Sequence, residues 1–336
     1  MKKTLLAVLT VTSLVCAHAQ AETTTHKKKA AVSKTATSKT TASKATASKT
    51  ATRTVAHKSA IKQASVQGDR LVGDSQPLSA AALGLQSSAF LVQDQTTGSV
   101  LYEKNASAVV PIASITKLMT AMVSLDAQPN LHEVMTISED DVDTLKGTRS
   151  RLKVGTQLTR EEMMRLALMS SENRAASALS RYYPGGRPAF VAAMNRKAQS
   201  LGLVDTHFED STGLTSANVS SARDLVKMVA AAHQYPLIRE FTTTAEYDVI
   251  VDGRVQEFHN TNSLVRSANS GWDIGLSKTG FINEAGKCLV MQAWFNQKPM
   301  IIVLLDSWGK MTRIGDANRI KKAVERYALS GKPNTI

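Results

Sequence analysis

One stretch of the chain, residues 111–125, is apolar on nearly every side when it is drawn as a helix. One helix face carries apolar side chains at the i, i+3, i+4, i+7 and i+8 spacing, namely Ile115, Leu118, Met119, Met122 and Val123. Further apolar residues stand off that face, at positions 113, 121 and 125. Such a pattern predicts a helix in the core rather than on the surface. Pro111 suits its start, because proline lacks the N–H that the first turn leaves unpaired.

The pattern elsewhere predicts strands near both ends of the folded part and helices between them. Apolar runs and alternations predict strands at residues 89–93 and 99–102, joined by a turn at 94–98, and later strands at 242–251, 255–258, 275–279, 289–295 and 300–305. Helical spacing covers residues 160–170, 187–201, 221–234 and 313–329. Outer strands around a helical middle predict an α+β fold, in which helices pack on one antiparallel sheet.

The N-terminus has the pattern of a secretory signal peptide over residues 1–21. Lys2 and Lys3 precede a short apolar run at 4–15, and small residues at 17, 19 and 21 offer cleavage sites. The run is too short for a stable membrane span. We therefore expect a periplasmic protein without a transmembrane anchor. After cleavage only Cys288 remains, so no internal disulfide is expected.

Residues 22–74 are rich in Ala, Thr, Ser and Lys and predict a disordered segment. Residues 22–66 carry ten basic residues and one acidic residue, which is nine of the thirteen net positive charges of the whole chain. This segment could tether the protein to an anionic wall polymer or membrane surface, or act only as a solvated spacer. Nucleic acid is not an expected partner, because the run has no aromatic residues and follows an export signal. A single folded domain is expected at 75–330, followed by a short tail at 331–336.

The first candidate catalytic residue is a lysine inside the apolar stretch. Ser114 and Lys117 are three residues apart and so lie on the same side of the predicted helix. Burial lowers the pKa of a lysine ammonium, and a neutral amine beside a hydroxyl is a base next to a nucleophile. The alternative is a capping serine with a lysine that reaches solvent. Ser59 and Lys62 repeat the same spacing in the basic segment, so the pair needs partners to carry weight.

A second candidate is Ser171-Glu-Asn173, which follows an apolar helix. Two other Ser-x-Asn tripeptides occur, at 216–218 and 267–269. We favour Ser171 because it stands at a junction between two predicted helices, where a hydroxyl and a carboxamide can turn into a cleft. A capping role for the next helix remains the alternative.

A third candidate is Lys278-Thr279-Gly280, at the end of a predicted strand. Gly280 allows another backbone to approach closely, and Lys278 and Thr279 offer hydrogen-bond donors to a carboxylate. A strand edge of this kind can bind an extended peptide as an added strand. The alternative is a turn that merely ends the strand.

Together, in this order, the three motifs resemble those of the serine D-Ala-D-Ala peptidases, the low-molecular-mass penicillin-binding proteins. The resemblance covers residues 88–327 and is closest to the D-alanyl-D-alanine endopeptidases of the penicillin-binding protein 7 type. It implies the fold that these proteins share with β-lactamases: an antiparallel sheet with helices, plus a helical lobe. Two positions depart from the family pattern, Glu172 within the second motif and Ile282 after the third.

The resemblance implies a role for each motif residue. Ser114 would form the acyl-enzyme, Lys117 would be its base, and Ser171 would relay a proton to the leaving amine. The backbone N–H groups of Ser114 and Phe281 would form the oxyanion hole. Substrate binding would fall to Asn173, Lys278, Thr279 and Gly280.

The implied activity is hydrolysis of peptidoglycan peptide cross-links, from D-Ala to meso-diaminopimelate, by an enzyme that β-lactams acylate. Neither a metal nor another cofactor is expected, since the histidines are scattered singly and the serine chemistry needs none. A D-Ala-D-Ala carboxypeptidase is the alternative, although the short chain beyond the last predicted helix favours the endopeptidase. A β-lactamase is less favoured, because residues 209–213 lack the Glu-x-x-Leu-Asn motif of class A enzymes. A non-catalytic wall-binding protein is also less favoured.

Overall fold

A computed structural model describes residues 83–251 and 253–330. The predicted signal peptide, the basic segment and the tail at 331–336 lie outside these residues, as does the second Ser-x-x-Lys at 59–62. In chain order the strands and helices are β1 (Ala89–Asp94), β2 (Val100–Lys104), β3 (Val110–Pro111), α1 (Thr116–Asp126), β4 (Val134–Thr136), β5 (Gln157–Thr159), α2 (Arg160–Met169), α3 (Asn173–Arg181), α4 (Gly186–Ser200), β6 (Val219–Ser220), α5 (Ala222–Ala232), α6 (Pro236–Thr243), β7 (Glu246–Val251), β8 (Arg254–His259), α7 (Ser263–Arg266), β9 (Asp273–Ile282), β10 (Gly286–Phe295), β11 (Lys298–Ser307) and α8 (Thr312–Ser330).

The main sheet has five antiparallel strands in the order β2-β1-β11-β10-β9. Its central strand β11 is apolar on both faces, as a strand covered on both sides must be. Met300, Ile302 and Leu304 share one core cluster with α8, whereas the residues between them, Ile301 and Val303, belong to the cluster of the helical lobe. This layering confirms the predicted α+β fold.

Helix α1 is the centre of the helical lobe. Its first nine residues, Thr116 to Ser124, are all buried, polar ones included. The all-round apolar pattern therefore predicted a core helix correctly. The helix is shorter than the pattern suggested, because Pro111 ends strand β3 and a 3-10 turn, Ala113–Ile115, intervenes. None of the helices in the described residues has the length and apolarity needed to cross a bilayer.

The predicted strand at 242–251 is wrong in two respects. Thr242 and Thr243 end helix α6, which Pro236 begins and which buries Ile238 and Phe241 at helical spacing. The strand starts only at Glu246. It pairs with β8 in a separate hairpin and does not join the main sheet. A strand inside this sheet needs two apolar faces, whereas β7 exposes three of its six side chains and β8 exposes four of six.

The predicted end of the strand at Thr279 is also wrong. Strand β9 continues through Gly280 to Ile282, so the Lys-Thr-Gly motif lies within an edge strand and not at a turn.

Short backbone pairings, which the sequence did not indicate, fix the segment that leads into α1. Strand β3 pairs with β6, and the Ile112 N–H donates to the Asn218 carbonyl at 3.1 Å.

Candidate active site

Ser114 lies in the 3-10 turn that leads into α1. Ile112, Ala113 and Ile115 around it are buried, while Ser114 itself is partly exposed. Ala113 adopts a φ of 49°, in the left-handed region that is unfavourable for a residue with a Cβ. The tight turn thus presents the Ser114 hydroxyl between buried apolar neighbours in the chain.

Two glycines let backbone approach this turn from both sides. A Cβ on Gly280 would lie 2.9 Å from the Ile112 carbonyl oxygen and 3.1 Å from the Ser114 nitrogen. A Cβ on Gly213 would overlap the Ala113 carbonyl, and Gly213 also has a φ of 80°. Strand β9 therefore runs directly beside the Ser114 amide. Phe281, the next residue of that strand, is 55% exposed.

Lys117 is 1% exposed and contacts three oxygen atoms. Its Nζ lies 2.7 Å from Ser114 Oγ, 2.8 Å from Asn173 Oδ1 and 2.6 Å from the Thr212 carbonyl oxygen. The last two can only accept a hydrogen bond, whereas the serine hydroxyl can also donate. A neutral amine matches this set, since it donates two hydrogen bonds and accepts one from Ser114.

Burial of Lys117 favours that neutral form. Burial lowers the pKa of its ammonium from 10.5 to about 7, an effect that the carboxylates of Asp210 and Glu172 partly oppose. The Glu172 carboxylate accepts a hydrogen bond from Ser150 Oγ at 2.6 Å and forms none with either lysine. Glu172 thus acts on Lys117 only through its field.

Ser171 and Lys278 form a second serine–lysine contact. Lys278 Nζ lies 2.9 Å from Ser171 Oγ and 3.0 Å from the Thr279 carbonyl oxygen. Ser171 has a φ of 63°, a strained value of the kind that is common at functional sites. Lys278 is 1% exposed and thus as deeply buried as Lys117. Burial, followed by the charges of Lys117 and Arg313, holds the pKa of Lys278 well below 10.5.

Of the three Ser-x-Asn tripeptides, only the one at 171–173 contacts both lysines. Asn218 is fully buried and holds the loop that supplies the Thr212 carbonyl, by bonds to Asp210 and to Thr116 Oγ1. Residues 267–269 are exposed, outside the cluster. The structure thus brings Ser171, which the helix junction had already favoured, together with Asn173 and both lysines.

Sequence reasoning missed the residues that orient Asn173. Asn173 Nδ2 donates to Thr148 Oγ1 at 3.0 Å, and the Thr148 hydroxyl donates to Asp143 Oδ2 at 2.6 Å. Asp143 also accepts from the backbone N–H groups of Leu145, Lys146 and Thr148, which shapes the loop. Hydrogen bonds to these donors outweigh burial and hold the pKa of Asp143 below its usual range. The Asp-x-x-x-x-Thr spacing is too common in loops to have indicated that Asp143 and Thr148 orient Asn173.

Arg313 was also missed. Its Nη1 donates to the carbonyl oxygens of Gly280 at 3.2 Å and of Cys288 at 3.3 Å. The guanidinium therefore holds strands β9 and β10 beside the cluster and adds positive charge there. Thr279 Oγ1 donates to Thr261 Oγ1 at 2.6 Å. Both contacts join residues from distant segments, and no local pattern distinguishes Arg313 from its basic neighbours.

A cavity of about 210 Å³ adjoins this cluster, with Asn173 and Thr212 in its wall. The described residues of the cluster include no group of side chains that could hold a metal ion. Among residues 83–251 and 253–330, one group of three is close enough to share an ion: Glu246, Glu257 and His259, all exposed on the β7–β8 hairpin. Exposed acidic groups of this kind are common without a metal.

Comparisons with known proteins agree with this geometry. A family model described as D-alanyl-D-alanine carboxypeptidase matches residues 76–309. The chain is 48% identical over 251 residues to a D-alanyl-D-alanine endopeptidase of Pseudomonas aeruginosa, which covers 74% of this chain and 80% of the relative. An Escherichia coli protein of the same description is 45% identical, with 72% and 78% covered. The crystal structure of a Streptomyces DD-transpeptidase superimposes with a TM-score of 0.66 at 29% identity, covering 71% of this chain and 97% of that one.

Proposed function

Because the chain belongs to the D-alanyl-D-alanine carboxypeptidase family of serine peptidases, we propose that it hydrolyses D-alanyl peptide bonds in peptidoglycan through an acyl-enzyme on Ser114. The observation that carries this proposal is the contact of buried Lys117 with Ser114 and Asn173. An amine with a pKa of about 7 can take the serine proton near neutral pH.

In the proposed mechanism, Ser114 Oγ attacks the D-Ala carbonyl while Lys117 Nζ accepts its proton. The Ser114 and Phe281 N–H groups receive the carbonyl oxygen as it becomes negative, a kind of interaction that contributes roughly 3 kcal/mol per donor. The proximity of Gly280 to the Ser114 amide supports that placement. Lys117 then loses that proton to solvent. Water attacks the ester carbonyl while Lys117 takes a proton from it, and Lys117 returns this proton to Ser114 Oγ as the acid product leaves.

We assign the second pair, Ser171 and Lys278, to protonation of the leaving amine. Ser171 can pass a proton to that nitrogen and recover one from Lys278, which its Oγ contacts at 2.9 Å. Arg313 supplies positive charge beside Lys278, and this favours a substrate with a carboxylate beside the scissile bond. Such a carboxylate would in turn favour the protonated form of Lys278. Asn173 and Thr279 would bind the substrate amide and that carboxylate, and Gly280 leaves the edge of β9 open to an extended peptide.

We propose cross-links, rather than the free D-Ala-D-Ala end, as the preferred substrate. The relatives described as endopeptidases are 48%, 45% and 36% identical, whereas a carboxypeptidase of Bacillus subtilis is 33% identical. Carboxypeptidase activity is the second candidate, since the same chemistry serves both. Export to the periplasm, and attraction of the basic segment to an anionic wall or membrane surface, are further proposals from the first 74 residues.

Two measurements test the proposal. Incubation with cross-linked cell wall, followed by muropeptide analysis, should convert dimers to monomers, and Ser114→Ala should abolish the conversion. Loss of terminal D-Ala from pentapeptides, with dimers intact, would instead establish the carboxypeptidase. Labelled penicillin should attach to Ser114, as mapped by peptide mass spectrometry. Label on another serine would refute the assignment of the nucleophile.

A further inference from the structure

An ion pair joins two segments that lie on opposite sides of the catalytic cluster. Lys146 Nζ lies 2.5 Å from Glu284 Oε1, although the two residues are 138 positions apart in the chain. Lys146 belongs to the loop that carries Thr148, the partner of Asn173. Glu284 lies in the turn between β9 and β10. The two side chains are 28% and 43% exposed, so a ligand in the site can reach both charges.

The direction of the substrate along β9 places this ion pair on the acyl side of the scissile bond. In the proposed mechanism the leaving amine lies near Lys278, and the scissile carbonyl lies near the Phe281 N–H, further along the same strand. An extended substrate must therefore continue past Ile282 toward Glu284 with the residue that precedes the scissile D-Ala. Gly280 and Glu284 are four residues apart and hence separated by no more than about 14 Å.

The loop fixes the backbone of Lys146, while its side chain can exchange partners. Asp143 Oδ1 accepts hydrogen bonds from the N–H groups of Leu145 and Lys146, at 2.8 and 2.9 Å. An ion pair as exposed as that of Lys146 and Glu284 adds little to the stability of a fold. A ligand with charges of its own can therefore insert between the two side chains at small cost, and it meets one cation and one anion there.

We propose that Lys146 and Glu284 bind a zwitterionic side chain on the residue that precedes the scissile D-Ala, an inference that rests on the proposed function for the substrate and its direction. Lys146 takes the carboxylate and Glu284 takes the ammonium. In a stem peptide, meso-diaminopimelate joins the chain through one end and keeps an ammonium and a carboxylate at the other. Four carbon–carbon bonds separate the ends, so the charged end reaches about 5 Å sideways from the peptide.

A balanced pair of charges favours a zwitterion over a side chain with a single charge. A lysine side chain would satisfy Glu284 but would place its ammonium beside Lys146, and a lone carboxylate would do the reverse. Such a repulsive contact is an effective source of specificity. A zwitterion instead gives each protein charge a partner of opposite sign through charge-assisted hydrogen bonds. The ion pair thus distinguishes a diamino dicarboxylate from lysine at this position of the stem peptide.

Penicillins that differ only in their acyl side chain test this site in the full chain. Penicillin N has a D-α-aminoadipoyl side chain, which ends in an ammonium and a carboxylate. Adipoyl penicillin keeps the carboxylate alone, 5-aminopentanoyl penicillin keeps the ammonium alone, and benzylpenicillin has an uncharged side chain. Stopped-flow acylation should be about tenfold faster with penicillin N than with either singly charged compound. Equal rates with these three compounds would overturn the zwitterion site, whereas no acylation by benzylpenicillin would refute the proposed function itself.

Two variants distinguish a binding role of the ion pair from a structural one. Relative to benzylpenicillin, Glu284→Gln should slow acylation by penicillin N and 5-aminopentanoyl penicillin about tenfold, and Lys146→Gln should do the same for penicillin N and adipoyl penicillin. The control is Glu103→Gln, which breaks a similarly exposed ion pair with Arg223 on strand β2 and should leave every ratio as in the wild type. Rates that fall by one common factor for all four penicillins, or that do not change, would refute the binding role.

Discussion

Lys278 Nζ lies 2.9 Å from Ser171 Oγ, although the two residues are 107 positions apart in the chain. The cluster therefore contains two serine–lysine contacts, because Lys117 makes the same kind of contact with Ser114. Both amines are buried, and the charge of Lys117 disfavours a proton on Lys278. The different roles proposed for the two lysines therefore depend on the other groups that each one contacts, and not on burial alone.

The first prediction concerns this division. Lys117→Arg keeps a positive charge but cannot lose its proton, so acylation by penicillin should fall by about 10²–10⁴. Lys278→Arg retains the cation beside the carboxylate site and should lose much less. Stopped-flow acylation rates compare the two variants. Equal losses would contradict the assignment of Lys117 as the base.

The second prediction is the pH profile of acylation. Burial lowers the pKa of Lys117 from 10.5 to about 7, so the rate should rise with pH through about 7 and then level off. The same shift means that the unfolded chain binds a proton that the native protein does not between about pH 7 and 10.5. The contribution of Lys117 to stability therefore rises with pH in that window. A rate that is flat from pH 6 to pH 8 would argue against a titrating base.

The third prediction concerns Thr148, a positioning residue for Asn173. Thr148→Val keeps the shape but removes the acceptor for Asn173 Nδ2, so the carboxamide loses its fixed orientation. Acylation should slow about fivefold, in line with the loss of one hydrogen bond of about 1 kcal/mol, while the exposed site leaves the melting temperature nearly unchanged. Thr148→Ser keeps the hydroxyl and serves as the control. Equal acylation rates in the two variants would exclude a role for Thr148.

The fourth prediction concerns the approach of β9 to the nucleophile. Gly280→Ala would bring a Cβ to 3.1 Å from the Ser114 nitrogen, so the strand must shift outward by a few tenths of an ångström. Since oxyanion binding depends on that distance, acylation should fall tenfold or more. Gly315→Ala in α8 is the control, because its Cβ would meet nothing closer than Arg319 Nη1 at 3.5 Å. Normal acylation in Gly280→Ala would disprove the proposed oxyanion geometry.

The fifth prediction concerns the basic segment. A chain that starts at Ser75 lacks the nine net charges of residues 22–66 and should acylate with penicillin at the rate of the full chain. It should bind insoluble wall less well at low salt. The difference should vanish as the Debye length falls from about 10 Å at 0.1 M to about 3 Å at 1 M salt. Unchanged wall binding at low salt would mean that the segment is only a spacer.

The sequence by itself determined the elements whose pattern is local. The all-round apolar pattern around Lys117 predicted a core helix, and the run from Met300 to Leu305 predicted a buried strand; the structure has both. The three motifs also sufficed to indicate the family, because their order and spacing are read along the chain. Local periodicity reports which faces of a segment are buried, and this is why these predictions held.

The tertiary structure alone decided which segments meet. It set the contact of Ser171 with Lys278, buried Lys278 as deeply as Lys117, and brought Thr148 and Arg313 to the cluster. It also placed β7 and β8 in a hairpin outside the main sheet. These contacts join residues far apart in the chain, and they depend on how the layers pack. The period of a single segment carries no information about its distant partners.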